Sequence, residues 1–305
     1  MSFLSHLITG ISLGSIYAII ALGYTMVYGI AKMLNFAHGD VIMVGAYICF
    51  FAVSTYGLSP VVGIVLAMVV CTILGIVIER LAYKPLRQAP SLAVLITAIG
   101  VSWFLQNGAQ ILWSAAPKVF PAFFTITTTG ENGEEVAQNG ISLFGNQLNI
   151  SYVTICTVLV CVIIMVCLTI FTQNSKMGKA MRACSEDKGA AQLMGINVNA
   201  TISMTFAIGS ALAAVAGVLM CSAYPTLTPT TGSMPGIKAF TAAVFGGIGS
   251  IPGAFFGGLL LGIIETFAKA YISTDLSDAI VFLALIVVLL VKPTGLLGRY
   301  VPEKV

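Results

Sequence analysis

Long apolar runs separated by short polar breaks make up most of this chain. The runs cover residues 3–30, 41–56, 61–78, 91–113, 151–171, 201–222, 254–272 and 279–291. Most are near the roughly 20 apolar residues that a helix needs to cross a bilayer. A ninth run, 235–249, is apolar and Gly-rich but too short to cross comfortably. It reads as a broken or half helix buried among its neighbours, because irregular backbone at membrane depth needs protein or a water-filled cavity to satisfy it. The pattern predicts an all-α polytopic membrane protein. It has about eight long transmembrane helices plus the short Gly-rich segment, in a single transmembrane domain over residues 1–305. The start, MSFLSHLITG, lacks a basic leader and a small-residue cleavage site, so it is expected to be the first span.

The polar breaks give the orientation. Between two apolar runs lies KMGKAMRACSEDKGAAQLMGI (176–196), the densest charge cluster in the chain. It carries Lys176, Lys179, Arg182 and Lys188 with Glu186 and Asp187. Small residues, including Ala180, Ala183, Ala190 and Ala191, recur along part of one helical face. Such a segment predicts a short amphipathic helix at the membrane surface, suited to docking into a groove on another protein. Lys and Arg concentrate on the cytoplasmic side of membrane proteins. Placing 79–90 and 172–200 inside satisfies that rule, and it puts the polar loop 114–150 outside, where its turn residues and β-prone runs suggest a small hairpin. The tail, with Lys292, Arg299 and Lys304, is then inside only if 235–249 crosses the membrane; a re-entrant 235–249 would put those three basic residues outside. Lys118 and Lys269 remain outside, Lys238 lies near the broken segment, and the N-terminus is outside.

Composition agrees with this reading and narrows the chemistry. The chain is 58% hydrophobic and 8% charged, with mean hydropathy +1.01, whereas soluble domains are about a quarter charged. No basic patch stands apart from the membrane-flanking loops, so no nucleic acid is expected as partner. The seven cysteines avoid the segment 114–150, so no extracellular disulfide framework is expected. No Cys/His spacing suits a metal. No phosphate-binding G-x-x-x-x-G-K-[ST] loop and no G-x-S-x-G or H-E-x-x-H motif occurs. The chain is therefore expected to need no cofactor and to be no enzyme.

Several polar and small residues fall within or beside the apolar runs. Asn35, His38 and Asp40 form the break after the first run, expected at the cytoplasmic face. There His38 and Asp40 read either as caps of the next helix or as parts of a gate, with a proton relay as a weaker alternative. Gln106 and Asn107 sit inside the fourth run, as interhelical hydrogen-bonding groups or as lining of a pathway. Glu265 and Lys269 share a helical face at i, i+4, read as a structural pair ahead of a coupling-ion site. Gly246, Gly247 and Gly249 open a glycine-rich stretch through Gly262, read as close helix packing or as a half-helix end facing a pathway.

Four stretches now resemble a known family: LNFAHGDVIMVGAY (34–47), GKAMRACSEDKGAAQLMGI (178–196), AFTAAVFGGIGSIPGAFFGGLLLGIIE (239–265) and KPTGLLG (292–298). Together they are similar to the membrane permease of bacterial branched-chain amino acid ABC importers, of the high-affinity leucine/isoleucine/valine H type. Permeases for urea and short amides share much of the pattern. The resemblance implies an ABC importer permease fold in the bacterial inner membrane and a cytoplasmic coupling loop that docks on an ATPase subunit. The loop pattern falls here on Gly178, Lys179, Ala180, Arg182, Ala183, Asp187, Ala190, Ala191, Gly195 and Ile196. Implied partners are a second homologous permease, two ATP-binding subunits and a periplasmic binding protein facing 114–150 and 223–234. A secondary transporter working alone, a membrane enzyme and a scaffold without a pathway are the competing classes.

Overall fold

The computed structural model describes residues 2–123, 126–129, 135–138, 140–143 and 148–298. In chain order the first helices are α1 (Ser2–Ala31), α2 (His38–Ser54), α3 (Pro60–Ile78) and α4 (Ser91–Trp113). Short strands follow: β1 (Lys118–Val119), β2 (Ile126–Thr129), β3 (Glu135–Gln138), β4 (Gly140–Leu143) and β5 (Leu148–Ser151). Then come α5 (Tyr152–Asn174), α6 (Lys176–Glu186), α7 (Lys188–Leu193), α8 (Val198–Ala223), β6 (Thr226–Leu227), α9 (Ser233–Gly246), α10 (Ile251–Tyr271) and α11 (Ser277–Val291). Among the described residues, six helices are long and apolar enough to cross a membrane: α1, α3 with its extension to Leu86, α4, α5, α8 and α10. The expectation of about eight long transmembrane helices is corrected to six among the described residues, because the runs at 41–56 and 279–291 form the shorter apolar helices α2 and α11, of 17 and 15 residues. Helices dominate because hydrocarbon offers no partner to an open backbone N–H or C=O.

α1 and α8 form the centre. In each, 78% of the apolar window is buried, against 28% in α3 and 17% in α4 and α5. Lipid supplies no hydrophobic force to drive helices together, so close backbone approach has to hold them. Glycine makes that approach. A Cβ on Gly14 of α1 would lie 2.7 Å from the Leu259 carbonyl of α10, and one on Gly262 would strike the Gly14 backbone. On another face of α10, Gly257 meets Ala242 of α9, and Gly253 meets Gly246.

The second helix departs from expectation. α2 begins at His38, whose imidazole lies against Gly23 of α1. Gly23 is eight residues before the end of α1 at Ala31, or roughly 12 Å along the axis. The chain leaves α1, turns back along it and starts α2 in the interior. Asn35, His38 and Asp40 are accordingly buried, with 3%, 1% and 2% of their surface exposed. The break is not at a solvated face. Nor do His38 and Asp40 cap α2: its N-cap is Ala37, with no side-chain cap bond.

α9 has 14 residues, about 21 Å, too short to span a core of about 30 Å by itself. It also starts in the interior. Its N-cap Gly232 touches Gly39, the Cβ position of Gly39 lying 2.6 Å from the Gly232 carbonyl. From that point α2 runs to one end of the bundle and α9 to the other, so two partial helices meet N-terminus to N-terminus.

The two ends differ. At one end Arg87 binds Glu79 and Asn199, and Lys188 Nζ donates to the Ala31 carbonyl at 2.8 Å. At the same end the Leu296 and Leu297 amides of the tail bond Phe245 and Gly246 at 2.9 Å. The segments 79–90, 172–200 and the described part of the tail thus share one end, as the charge pattern predicts; Arg299 and Lys304 lie outside the described residues. The other end carries the strands. The hairpin expected within 114–150 is two hairpins, β2–β3 and β4–β5, while β1 pairs with β6 across the fold.

Candidate functional site

Three groups of polar side chains stand out. The first gathers where α2 and α9 meet. Asp40, in the first turn of α2, accepts from Gln106 Nε2 of α4 at 2.8 Å through Oδ1. Gln106 also reaches Ser233, the first residue of α9, at 3.2 Å. His38 bonds the backbone of Ile20, and its ring lies 4.6 Å from that of Tyr24. Asn35 accepts from the Tyr83 hydroxyl at 2.9 Å. Asp40 Oδ2 and His38 Nε2 are among the buried side-chain atoms that keep no hydrogen-bond partner among the described residues. Among the described residues no cation pairs with Asp40. A buried carboxylate without a cation is costly. The helix N-terminus on which Asp40 sits offsets part of that cost, because its free N–H groups carry partial positive charge. The site therefore has an unfilled acceptor for a cationic donor, next to two N-termini that lack side-chain caps.

The sequence candidates divide at this point. Asn35, His38, Asp40 and Gln106 come together. Asn107 does not: it is exposed on α4 and bonds Trp103 of its own helix at 2.7 Å. Gly246, Gly247 and Gly249 lie at the far end of α9, where Gly247 (φ 110°) and Gly249 (φ 93°) turn the chain into α10. Gly247 packs on Gly298 of the tail, and Gly249 faces Gly29.

The second group is the charged surface segment, built as two helices. Ser175 caps α6 by accepting from the Gly178 amide at 2.8 Å. Asp187 caps α7 by accepting from Gly189 and Ala190 at 2.8 and 3.0 Å. α7 ends at Gly195, with φ 81°; the Gly195 amide bonds Gln192 and the Ile196 amide bonds Ala191, the paired closure of a helix C-terminus on a left-handed glycine. Arg182 ties α6 to the end of α5 by donating to the Gln173 carbonyl at 3.1 Å. Met181, Cys184 and Ala191 pack onto Met26 and Ile30 of α1. Burial pushes the Cys184 thiol pKa up, and burial next to Arg87 and Lys32 pushes the Lys188 pKa down.

This packing reassigns the small-residue stripe. Gly178 and Ala191 are buried, Ala180, Ala183 and Ile196 half-buried, while Lys179, Arg182, Asp187, Ala190 and Gly195 are exposed. The outward face also carries Leu193 and Met194, 90% and 83% exposed. Sequence reasoning passed over these two; their place just before the terminating Gly195 was the available signal.

The third group is a buried charge network. Glu265 of α10 accepts from Tyr17 and from Lys238 of α9, both at 2.8 Å, and pairs with Lys269 as the spacing predicts. Lys238 also pairs with Asp278 at the start of α11 at 2.6 Å. Four helices, α1, α9, α10 and α11, are joined through the Glu265 and Lys238 side chains and their partners Tyr17 and Asp278.

Comparison with known proteins agrees with this architecture. A family described as branched-chain amino acid transport system / permease component matches residues 6–289. The chain is 46% identical to the high-affinity branched-chain amino acid transport system permease protein LivH of Escherichia coli (strain K12), covering 99% of this chain and 98% of that one. It is 46% identical, at the same coverages, to the high-affinity permease protein BraD of Pseudomonas aeruginosa. A probable branched-chain amino acid transport permease of Methanocaldococcus jannaschii is 30% identical over 93% of this chain and 89% of its own length.

Proposed function

Since the chain belongs to the family of branched-chain amino acid transport permeases, we propose that it is the membrane permease of an ATP-driven importer of leucine, isoleucine and valine. Its multi-pass bundle sits in the bacterial inner membrane, with α6–α7 and the tail on the cytoplasmic side. A second homologous permease completes the pathway, two ATP-binding subunits supply the energy, and a periplasmic binding protein delivers substrate to the end that carries the strands. The chain brings no nucleotide site and performs no chemistry of its own.

The observation that supports this reading best is the α6–α7 platform. A capped, cross-tied helix pair packed on the end of α1 transmits a push without bending. Its exposed Leu193 and Met194 at the end of α7, with exposed Lys179 and Arg182 on α6, offer apolar and basic groups that suit a groove on a soluble subunit. ATP binding draws two such platforms together and shifts the permease pair toward the state open to the binding protein; hydrolysis resets it. The permease is then a two-state element that both partners bias.

The interior cluster supplies the gate. Asp40 and Gln106 sit where two partial helices meet through Gly39 and Gly232, a joint held by contact and not by a continuous helix. Parting α2 from α9 exposes the Asp40 carboxylate and two helix N-termini, groups suited to the ammonium and carboxylate of an amino acid.

The test is purification of the chain with its genomic neighbours, followed by ATPase assay with the binding protein loaded with leucine. Stimulation by leucine-loaded protein supports the proposal. Stimulation by urea or a short amide alone moves the chain to that related class, and substrate movement without any ATPase subunit overturns the importer reading.

A further inference from the structure

Between the C-terminus of α1, the turn joining α3 to α4 and the start of α7 lies a cavity of about 350 Å³. Three cationic side chains line it, Lys32, Arg87 and Lys188. They are not equivalent. Arg87 is engaged by Glu79 and Asn199, so its charge is matched. Lys188 donates to the neutral carbonyl of Ala31 at 2.8 Å. Lys32 follows directly, held at φ 56°, a left-handed conformation that disfavours a side chain. Among the described residues no carboxylate pairs with Lys32 or Lys188. Two positive charges thus line one concavity without a paired carboxylate among the described residues, and burial, then the nearby Arg87 and Lys32 charges, push the Lys188 pKa down.

The rest of the wall mixes Tyr28 and Ser91 with an apolar strip of Leu34, Leu86, Val94 and Leu95. On the same two spans, the extension of α3 exposes Leu81 and the first turns of α4 expose Leu92 and Ile96, at 75%, 64% and 62%. In a membrane protein such aliphatic side chains face acyl chains. The ligand that matches both halves of this surface carries a negative head and apolar tails. An acidic peptide leaves the aliphatic side chains of α3 and α4 unmatched, and a free anion leaves the apolar strip unmatched.

We propose that this cavity binds the phosphate headgroup of an anionic phospholipid, held by Lys32 and Lys188, with its acyl chains along the exposed faces of α3 and α4. Basic pockets between transmembrane helices are suited to acidic headgroups. Here the headgroup bridges the turn that leads into α2 and the first turn of α7. It therefore links the interior cluster to the surface platform through one phosphate.

The experiment uses the permease purified with its partner subunits in detergent. Phosphatidylglycerol, phosphatidylcholine or inorganic phosphate is added, and bound lipid is read by native mass spectrometry alongside thermal unfolding. Phosphatidylglycerol is expected to be retained and to raise the unfolding midpoint. Lys32→Gln and Lys188→Gln each lower its occupancy about fivefold. Lys188→Arg keeps it, as does Lys84→Gln outside the cavity. Unchanged phosphatidylglycerol occupancy in the double variant, or equal retention of phosphatidylcholine, overturns the proposal. Equal protection by inorganic phosphate replaces the lipid by a free anion and overturns it too. Because retained lipid is counted on the wild-type protein as well, poor folding of a variant leaves the test decisive.

Discussion

Lys238 Nζ lies 2.8 Å from Glu265 Oε1, joining α9 to α10 inside the bundle, and the same carboxylate takes the Tyr17 hydroxyl of α1. Removing one partner of a buried pair leaves an uncompensated charge, which costs about 3–5 kcal/mol. Glu265→Gln is expected at the lower end, because Lys238 keeps Asp278. Lys269 is 41% exposed, so Lys269→Gln is expected to cost under about 1 kcal/mol. Unfolding midpoints of the two variants in one detergent check this; equal midpoints would show that the network does not hold the helices.

The α1–α10 seam makes a steric prediction. Gly14 and Gly262 meet backbone to backbone, so any Cβ at Gly262 must push the helices apart. Gly262→Val is expected to destabilise by about 1–3 kcal/mol or more, read as lost monodisperse yield. Gly100, with open space around its Cβ position, is the control: Gly100→Ala is expected to purify like the parent.

Asp40→Asn separates charge from shape. The amide keeps an oxygen for Gln106, so assembly and α2 are expected to survive. The carboxylate is lost, and a charge-assisted hydrogen bond is stronger than a neutral one by about 1 kcal/mol or more. Leucine uptake by the assembled importer is therefore expected to fall by about fivefold to tenfold. Uptake within twofold of the parent would remove Asp40 from the gate.

The platform is tested at its exposed tip. Leu193→Asp with Met194→Asp touches no packed atom, so stability is expected to move by less than about 0.5 kcal/mol for each change. Retention of the ATP-binding subunits on purification is expected to drop by at least an order of magnitude, as for an apolar anchor at the centre of an interface. Full retention would assign the docking surface elsewhere. Gly195→Trp is a poorer probe, since φ 81° at Gly195 makes any side chain there strain α7 itself.

Much of the fold was legible because lipid leaves the backbone few choices. Apolar runs become helices wherever they are long enough, and the basic segments fall at one end together. The i, i+4 pair Glu265–Lys269 was equally legible, because helical spacing is local. The interior site was half legible. Asn35, His38, Asp40 and Gln106 stood out as polar residues in apolar runs. Their depth did not, because nothing in the stretch 32–40 reports that the chain folds back along α1.

By itself, the sequence determined a polytopic helical membrane protein, its family and the existence of an amphipathic surface segment. Each of these rests on local composition, periodicity or motif. Only the tertiary structure decided what lies beside what. Tyr17 and Glu265 are 248 positions apart, and no local pattern could pair them. The same holds for Gly39 with Gly232, and for which small residues of α6 and α7 turn inward. In water, burial sorts apolar from polar faces and leaves a trace in the sequence. In lipid the outside is as apolar as the inside, so the contact faces are chosen by small residues and polar partners, which only the assembled bundle brings together.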